Sequence, residues 1–175
     1  MSRQDFRDAV FAVVHDLMRT DPNVIVLTND NHAWRLDTIR AEFPERAINV
    51  GVAEQNMMSL AGGLASAGKR VFCYGQCAHL MRGWEQIKVG ICIPNFPVAI
   101  LGVGGPSMWR DGPTHYGDED IALMKALANM TVYELFEWEY AQNCVKRAYD
   151  AGTPHYLRFD KWAGEPLGGG IPFGG

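Results

Sequence analysis

The chain has 175 residues, 47% of them hydrophobic and 21% charged, which is the composition of one globular domain large enough to bury a core. Its net charge of −4 argues against a nucleic acid or an anionic membrane surface as partner, because binding to either calls for clustered Lys and Arg. The N-terminal residues contain no signal-peptide core and no apolar run is long enough to span a membrane, so we expect a cytoplasmic protein.

Short apolar segments alternate with helical patterns along most of the chain. The segments predicted to be strands are 23–28, 47–52, 70–74, 97–104, 130–135 and 155–159. The predicted helices are 2–19, 35–42, 53–67, 79–92, 118–128 and 137–150. This alternation predicts an α/β domain with a mostly parallel sheet, which binds ligands at the carboxyl ends of its strands. The Gly/Pro-rich residues 163–175 are predicted to be a linker end or flexible tail, which leaves 1–162 as the domain.

Generic nucleotide and metal motifs do not fit the sequence. "GVGG" (102–105) lacks the spacing of a dinucleotide-binding loop, and "AGK" (67–69) lacks the Ser or Thr that would follow the lysine of a P-loop. None of the four cysteines forms a C-x-x-C pair, so buried free thiols are the expected state, and Cys73 with Cys77 is only a weak metal pair.

The stretch "INVGVAEQNM" (48–57) places a carboxylate at an unusual point. Glu54 follows an apolar strand and opens a helix whose next turns are rich in Gly and Ala, where close packing is expected to bury it. One interpretation is a helix-start Glu stabilised by the macrodipole. The other is a functional carboxylate held in a site of low dielectric constant, where its hydrogen bonds are stronger.

Three separated motifs indicate which interpretation applies. The stretch above continues into "AGGLASAGKRVF" (61–72), "RGWEQI" (82–87) follows, and "DGPTH" (111–115) leads into "DEDIALMKALANMTV" (118–132). Together they resemble the pyrimidine-binding domain of transketolase and of 1-deoxyxylulose-5-phosphate synthase, from about residue 3 to about residue 160. The resemblance implies a three-layer α/β sandwich with a mostly parallel six-stranded sheet, and thiamine diphosphate as cofactor.

The resemblance also implies catalytic roles for Glu54 and His115. Glu54 would hydrogen-bond a ring nitrogen of the cofactor's aminopyrimidine and favour the tautomer that accepts the thiazolium proton. His115 and Asp111 would line the substrate channel and contact hydroxyl groups of a donor sugar, and His115 can shuttle protons. A hydrogen bond that only orders the loop is the alternative for His115.

Substrate contacts are implied at two further positions. Arg158, on the last predicted strand, matches a position that grips a sugar phosphate, for which the planar guanidinium is well suited. A surface ion pair is the alternative. Trp34 stands where the family has a small polar residue, so its indole is expected to reshape the pocket and to disfavour ordinary pentose phosphates.

The remaining cofactor contacts implied by the resemblance lie after the first and third predicted strands. They are Asp30, Tyr74, Gln76, His79 and Arg82. Turn capping is the alternative for the first of these. The family stacks an aromatic ring on the aminopyrimidine, and here either Tyr74 or His79 could supply that platform. The other charged residues of "RGWEQIK" (82–88) are expected to serve packing or a dimer contact.

The chain departs from the family by lacking the Gly-Asp-Gly and Asn pattern of its magnesium loop. Asp118, Glu119 and Asp120 resemble a metal cluster but start a helix, where capping explains them, so no metal ligand is expected in this chain. We therefore expect Mg²⁺ and the diphosphate to be bound by a separate subunit, in an α2β2 heterotetramer that transfers a two-carbon ketol unit. The alternatives are a decarboxylating carboligase subunit that uses a 2-oxo acid and a non-catalytic regulatory subunit.

Overall fold

The computed structural model describes residues 5–105, 108, 112 and 114–161 of the chain. Its six strands are β1 Val24–Thr28, β2 Ala47–Asn49, β3 Arg70–Gln76, β4 Val98–Val103, β5 Thr131–Leu135 and β6 His155–Phe159. They form one sheet in the order β2-β1-β3-β4-β6-β5, and every neighbouring pair is parallel. The predicted α/β fold with a parallel six-stranded sheet is confirmed.

Helices cover both faces of this sheet. They are α1 Arg7–Thr20, α2 Trp34–Glu42, α3 Glu54–Ser66, α4 Cys77–Leu80, α5 Trp84–Ile87, α6 Asp120–Lys125 and α7 Trp138–Ala151. Apolar residues of α1, α2 and α7 form the core on one face, which we call the first core. Those of α3, α4, α5 and α6 form the second core on the other face. The chain is thus a three-layer sandwich, and its central strands are apolar on both sides because both sides are covered.

The helical segment that follows β3 is not one regular helix, although the sequence predicted a single helix over 79–92. A 3₁₀ turn (Met81–Gly83) separates α4 from α5, and a π-helical turn (Lys88–Cys92) follows α5. This segment packs tightly on α3, since a Cβ built at Gly62 would lie 2.5 Å from the carbonyl oxygen of Gly90. The Gly/Ala-rich part of α3 therefore serves the close backbone approach that its composition predicted.

The strand order places a crevice at the carboxyl ends of β1 and β3. From β1 the chain passes to β2 on one side of it, and then crosses to β3 on its other side. Connections that leave two adjacent strands in opposite directions open a crevice between them, which is where α/β sheets bind ligands. The segments that reach this edge are the turn after β1, the start of α3 and the start of α4.

The structure describes the first predicted helix but not the predicted C-terminal tail. The first helix begins at Arg7 and not at residue 2; Asp5 accepts hydrogen bonds from the backbone N–H and the guanidinium of Arg7 just at its start. The tail 163–175 lies outside the described residues. Within the described part of the chain, none of the helices has both the length and the apolar character needed to cross a lipid bilayer.

Candidate active site

Glu54 is the first residue of α3 and is buried, with 4% of its surface exposed. Asn29, in the turn after β1, donates from Nδ2 to Glu54 Oε1 at 3.0 Å. Arg82, from the 3₁₀ turn, donates from Nη1 to both carboxylate oxygens at 3.3 Å. Three segments that are distant in sequence thus converge on one carboxylate at the carboxyl edge of the sheet.

The protonation state of Glu54 follows from these contacts. Burial raises the pKa of Glu54, but hydrogen bonds from its own backbone N–H, from Asn29 and from Arg82 outweigh burial, and the Arg82 charge adds to them. The net effect is a pKa below the ordinary value for glutamate, so the group is ionised at neutral pH in this chain. Because 56% of the Arg82 side chain is exposed, this cation can leave Glu54 without breaking a packed core.

Asn29 is a site residue that the sequence analysis missed, because it considered only Asp30 in the same turn. Asn29 is buried and is itself held by Asn31, whose Nδ2 donates to Asn29 Oδ1. Gly75 of β3 makes room for it, since a Cβ there would lie 2.7 Å from Asn29 Oδ1. In the sequence Asn29 and Gly75 each follow a predicted strand, and only the pairing of β1 with β3 brings the two residues together.

His79 and His115 are distant in the sequence, but their rings lie side by side in the fold. The two ring centroids are 5.1 Å apart in an edge-to-face arrangement. His79 Nε2 is 3.1 Å from the carbonyl oxygen of Thr114, and since a carbonyl only accepts, Nε2 carries the hydrogen. His115 Nδ1 is 2.9 Å from the hydroxyl oxygen of Thr114. Burial lowers the pKa of His79, and the positive charge of Arg82 lowers it further, so this ring is neutral at pH 7.

The structure separates the two residues considered as stacking platforms. Tyr74 is 1% exposed, and its ring packs edge-to-face on Phe11 of α1, in the first core. That core lies on the sheet face opposite to α3, so Tyr74 cannot present its ring at the crevice, and this assignment was wrong. Successive side chains of a strand alternate between faces, but both faces are apolar here, so the pattern could not assign Tyr74 to one of them. Gln76 ends β3 at the crevice edge and is buried.

Asp30 and Trp34 follow β1 near the same edge, whereas the carboxylate of Glu54 accepts its side-chain hydrogen bonds from Asn29 and Arg82. Asp30 has a positive φ of 65° and exchanges hydrogen bonds with Asn49, which closes the turn between the ends of β1 and β2. This geometry fits the turn-capping alternative for Asp30. Trp34 opens α2 with 75% of its surface exposed, and its ring meets that of His32 at 6.1 Å. Asp111 lies outside the described residues.

Arg158 is buried, so the alternative of an ion pair at the surface was wrong. It is buried on β6, its Nη2 donates to the carbonyl oxygen of Gly117 at 3.1 Å, and its Nε is 3.8 Å from Asp120 Oδ2. Asp120 begins α6, as expected for a helix-start residue, and has no exposed surface. With its guanidinium facing these protein groups, Arg158 is placed under the loop and not as a free phosphate ligand.

The four cysteines are buried free thiols, as predicted. Burial raises the pKa of Cys92 to about 11 and, together with the negative charge of Asp120, that of Cys77 to about 12, so both stay protonated. Among the described residues, no group of three His, Cys, Asp or Glu side chains is arranged to hold a metal ion.

The geometry of this edge is typical of a class of ligand-binding α/β proteins. A parallel α/β sandwich presents a buried, hydrogen-bonded carboxylate and a neutral histidine beside a second imidazole at its topological switch point. Such an arrangement suits a heteroaromatic ligand that carries ring nitrogens, because the carboxylate can accept a hydrogen from the ring while imidazoles contact its surroundings.

Comparisons with known proteins identify the family. The family model described as transketolase, pyrimidine binding domain, matches residues 2–165, and the chain therefore belongs to this family. It is 31% identical to a 1-deoxy-D-xylulose-5-phosphate synthase of Myxococcus xanthus (strain DK1622), over 98% of this chain and 30% of the relative. It is 30% identical to one of the subunits of an apulose-4-phosphate transketolase of Phocaeicola vulgatus (strain ATCC 8482), over 92% of this chain and 51% of the relative.

A solved structure described as "Split gene transketolase, inactive beta4 tetramer" shares the fold. It superimposes with a TM-score of 0.81 at 30% identity, and the match covers 99% of this chain and 57% of that chain. The chain spans about half or less of the length of the two curated relatives named above.

Proposed function

We propose that this chain is the pyrimidine-binding subunit of a split, thiamine diphosphate-dependent enzyme that transfers a two-carbon ketol unit from a ketose donor to an aldehyde acceptor. The observation that carries the proposal is Glu54, a buried carboxylate held by Asn29 and Arg82 at the switch-point edge of the sheet. Support comes from the relatives, one of which is described as a subunit of an apulose-4-phosphate transketolase and another as a split-gene transketolase.

The described residues fit the aminopyrimidine end of this cofactor. Glu54 supplies a fixed carboxyl group that can share a proton with a ring nitrogen, and Asn29 keeps this group oriented. Arg82 contacts both carboxylate oxygens of Glu54 only at 3.3 Å and is half exposed, so a ligand can displace it. His79 lies in the helical segment that leads to Arg82 and offers the ring that could stack on an aminopyrimidine.

Each residue then has a defined task. Thiamine diphosphate supplies a carbon nucleophile and an electron sink for cleavage of a C–C bond. Glu54 holds a proton in a hydrogen bond to the pyrimidine ring nitrogen. His79, being neutral, stacks without adding positive charge, and its Nε2–H fixes the loop at Thr114. His115 faces the donor and moves protons to and from its hydroxyl groups.

The diphosphate and Mg²⁺ are assigned to a partner subunit in this proposal. The sequence has no Gly-Asp-Gly and Asn motif for a magnesium loop. We propose an α2β2 assembly in which the crevice edge faces that subunit. Trp34 and Val52, which follow β1 and β2 and are 75% and 71% exposed, are the apolar side chains that the partner would cover.

The test is hydrogen–deuterium exchange at the thiazolium carbon in the complex reconstituted with the partner subunit. Glu54→Gln keeps the size of the side chain but removes its acid group, so exchange is expected to slow by roughly 10²–10⁴-fold. Glu45→Gln, at an exposed position in the turn before β2, is the matched control and should leave the exchange rate unchanged. An unchanged rate in an assembled Glu54→Gln complex would reduce Glu54 to a structural helix-start residue.

A donor screen on the same complex separates this reaction from its alternatives. Turnover of ketose phosphates with an aldehyde acceptor supports ketol transfer. Release of carbon dioxide from a 2-oxo acid would instead show a decarboxylating carboligase. Exchange at the thiazolium carbon without turnover of any donor, or no exchange at all, would favour a regulatory subunit.

A further inference from the structure

A second buried polar cluster lies beneath the loop that carries His115, apart from the contacts of Glu54. We call it the loop anchor, and its members are Cys77, Asp120, Tyr156 and Arg158. Cys77 begins α4, Asp120 begins α6, and the other two point to the same side of β6. All four are buried. Charges are removed from water at a large cost, so a buried Asp and Arg need specific partners to be tolerated.

The partners within the loop anchor are well defined. Tyr156 donates from its hydroxyl group to Asp120 Oδ2 at 2.6 Å, and Arg158 Nε lies 3.8 Å from the same oxygen. Burial, then the Asp120 charge, raises the pKa of Tyr156 well above its ordinary value, so the phenol remains a donor. Within the described part of the chain, Asp120 Oδ1 and Arg158 Nε have no hydrogen-bond partner.

Glycines on both sides of the loop pack directly against this cluster. A Cβ at Gly105 would lie 2.6 Å from Arg158 Nη2, and one at Gly104 would lie 2.8 Å from Cys77 Sγ. A Cβ at Gly117 would overlap the same sulfur. Gly104 and Gly105 also have φ angles of +128° and +134°, which side chains on L-residues rarely allow. The chain therefore enters and leaves the loop in contact with the anchor.

The loop is fixed on both sides of His115. On one side, His79 donates to the carbonyl oxygen of Thr114. On the other side, Arg158 donates to the carbonyl oxygen of Gly117, shortly after His115 in the chain. Between these points the backbone N–H groups of His115 and Tyr116 both donate to the carbonyl oxygen of Gly112. A tight turn clamped at both ends holds the His115 ring at its distance from His79.

We propose that Arg158 and Asp120 are positioning residues for His115: Asp120 and Tyr156 orient the Arg158 guanidinium, and the guanidinium holds the loop at Gly117. The catalytic part of this inference rests on the function proposed above, whereas its structural part does not. Arg158 would act on the donor only through the loop, and not by contact with a substrate phosphate.

The structural part is tested in the full-length chain by NMR, without cofactor. Arg158→Met is expected to abolish the Overhauser contact between the His79 and His115 rings and to speed amide exchange of His115 and Tyr116 at least tenfold. Tyr156→Phe, which removes only one hydroxyl group, should give a smaller change in the same direction, and Arg158→Lys should restore part of the protection. Arg19→Met, which breaks the exposed Arg19–Glu42 pair on α1, is the control and should leave both readouts unchanged.

The catalytic part is tested in the reconstituted complex. Tyr156→Phe should lower kcat for donor turnover about tenfold, while the exchange rate at the thiazolium carbon, which depends on Glu54, stays at the wild-type value. Equal losses in both rates would mean a general structural defect and would overturn the positioning role. Retained ring contact and amide protection in folded Arg158→Met or Tyr156→Phe protein would overturn it as well. Absence of thiazolium exchange in the wild-type complex would reject the proposed function, and the NMR result would still decide the role of the anchor.

Discussion

Arg82 donates to both oxygens of Glu54 while more than half of its own side chain remains in solvent. A carboxylate that is to hold a proton against a ring nitrogen gains from losing this cation, because opposite charge favours the ionised form. Under the proposed function, the ion pair is a resting arrangement, and ligand entry would exchange one partner of Glu54 for another.

The first prediction concerns this pair. Arg82→Met removes a hydrogen-bond donor and a positive charge, whereas the burial of Glu54 persists, so the pKa of Glu54 should rise. Carboxyl ¹³C NMR titration of the full-length chain measures it. Arg147→Met, an exposed position of α7 on the other face of the sheet, is the control and should leave the Glu54 titration unchanged. A Glu54 pKa that does not move in Arg82→Met would mean that the ion pair is not populated in solution.

The second prediction concerns His79. Its pKa lies below the ordinary value of 6.5, because burial and then the Arg82 charge disfavour the imidazolium form. The unfolded chain therefore binds a proton more readily than the folded chain, and the contribution of neutral His79 to stability is lost as pH falls from above 6.5 through the folded pKa. His79→Phe cannot be protonated.

The stability of this variant relative to wild type should consequently improve as pH is lowered from about 7.5 to about 5, the range in which an ordinary histidine becomes charged. Urea unfolding of wild type and His79→Phe at each pH measures the difference. A difference between wild type and His79→Phe that is independent of pH would contradict the assignment of a lowered pKa.

At the scale of elements, the contact between α3 and the π-helical turn determines how near Arg82 comes to Glu54. Gly62 faces the carbonyl oxygen of Gly90, and Gly83 lies under the first turn of α3, where a Cβ would be 3.2 Å from the Glu54 carbonyl oxygen. These glycines allow two helical segments to approach more closely than side chains normally permit. The 3₁₀ turn that carries Arg82 is thereby pressed against the residue it pairs with.

The third prediction uses two adjacent glycines of α3. Gly62→Ala forces a methyl group against the Gly90 carbonyl and should destabilise the chain by about 1–3 kcal/mol, the usual cost of overpacking. Gly63→Ala, where nothing lies within 4 Å, should instead stabilise it by about 0.5–1 kcal/mol through helix propensity. Urea denaturation of the two variants measures both signs. Equal effects from the two substitutions would show that the α3 contact is looser than the structure indicates.

How much of this arrangement the sequence could reveal depends on the range of each interaction. Strands and helices were predictable because apolar runs and periodicity are local, and Glu54 was recognisable because three motifs accompany it. Strand order, which brings Asn29 next to Gly75, is a non-local outcome and was not predicted. Asp120 begins α6, as its position in the sequence indicated, but its complete burial was not predicted, because its partners Tyr156 and Arg158 are distant in sequence.

At the scale of the whole molecule, the proposed function makes the crevice of this chain one half of a site. Asn29, Glu54, His79 and Arg82 line one edge, and the exposed Trp34 and Val52 lie on the same carboxyl side of the sheet. A ligand with an aminopyrimidine and a diphosphate would make only its ring contacts here. The charged end of such a ligand contributes much of its affinity through charge-assisted hydrogen bonds and metal bridging, which this subunit is not expected to supply.

The last prediction is that the full-length chain alone binds thiamine diphosphate at least ~100-fold more weakly than the complex with its partner subunit, a difference of about 2.7 kcal/mol. Isothermal titration calorimetry with and without Mg²⁺ measures this. In the complex, Glu54→Gln should cost affinity far less than it costs thiazolium exchange, since the other subunit holds the diphosphate. Glu45→Gln again serves as the control. Tight, Mg²⁺-dependent binding by the lone chain would overturn the division of the site between two subunits, because the ring contacts made by Glu54 and its neighbours give no Mg²⁺ dependence of their own.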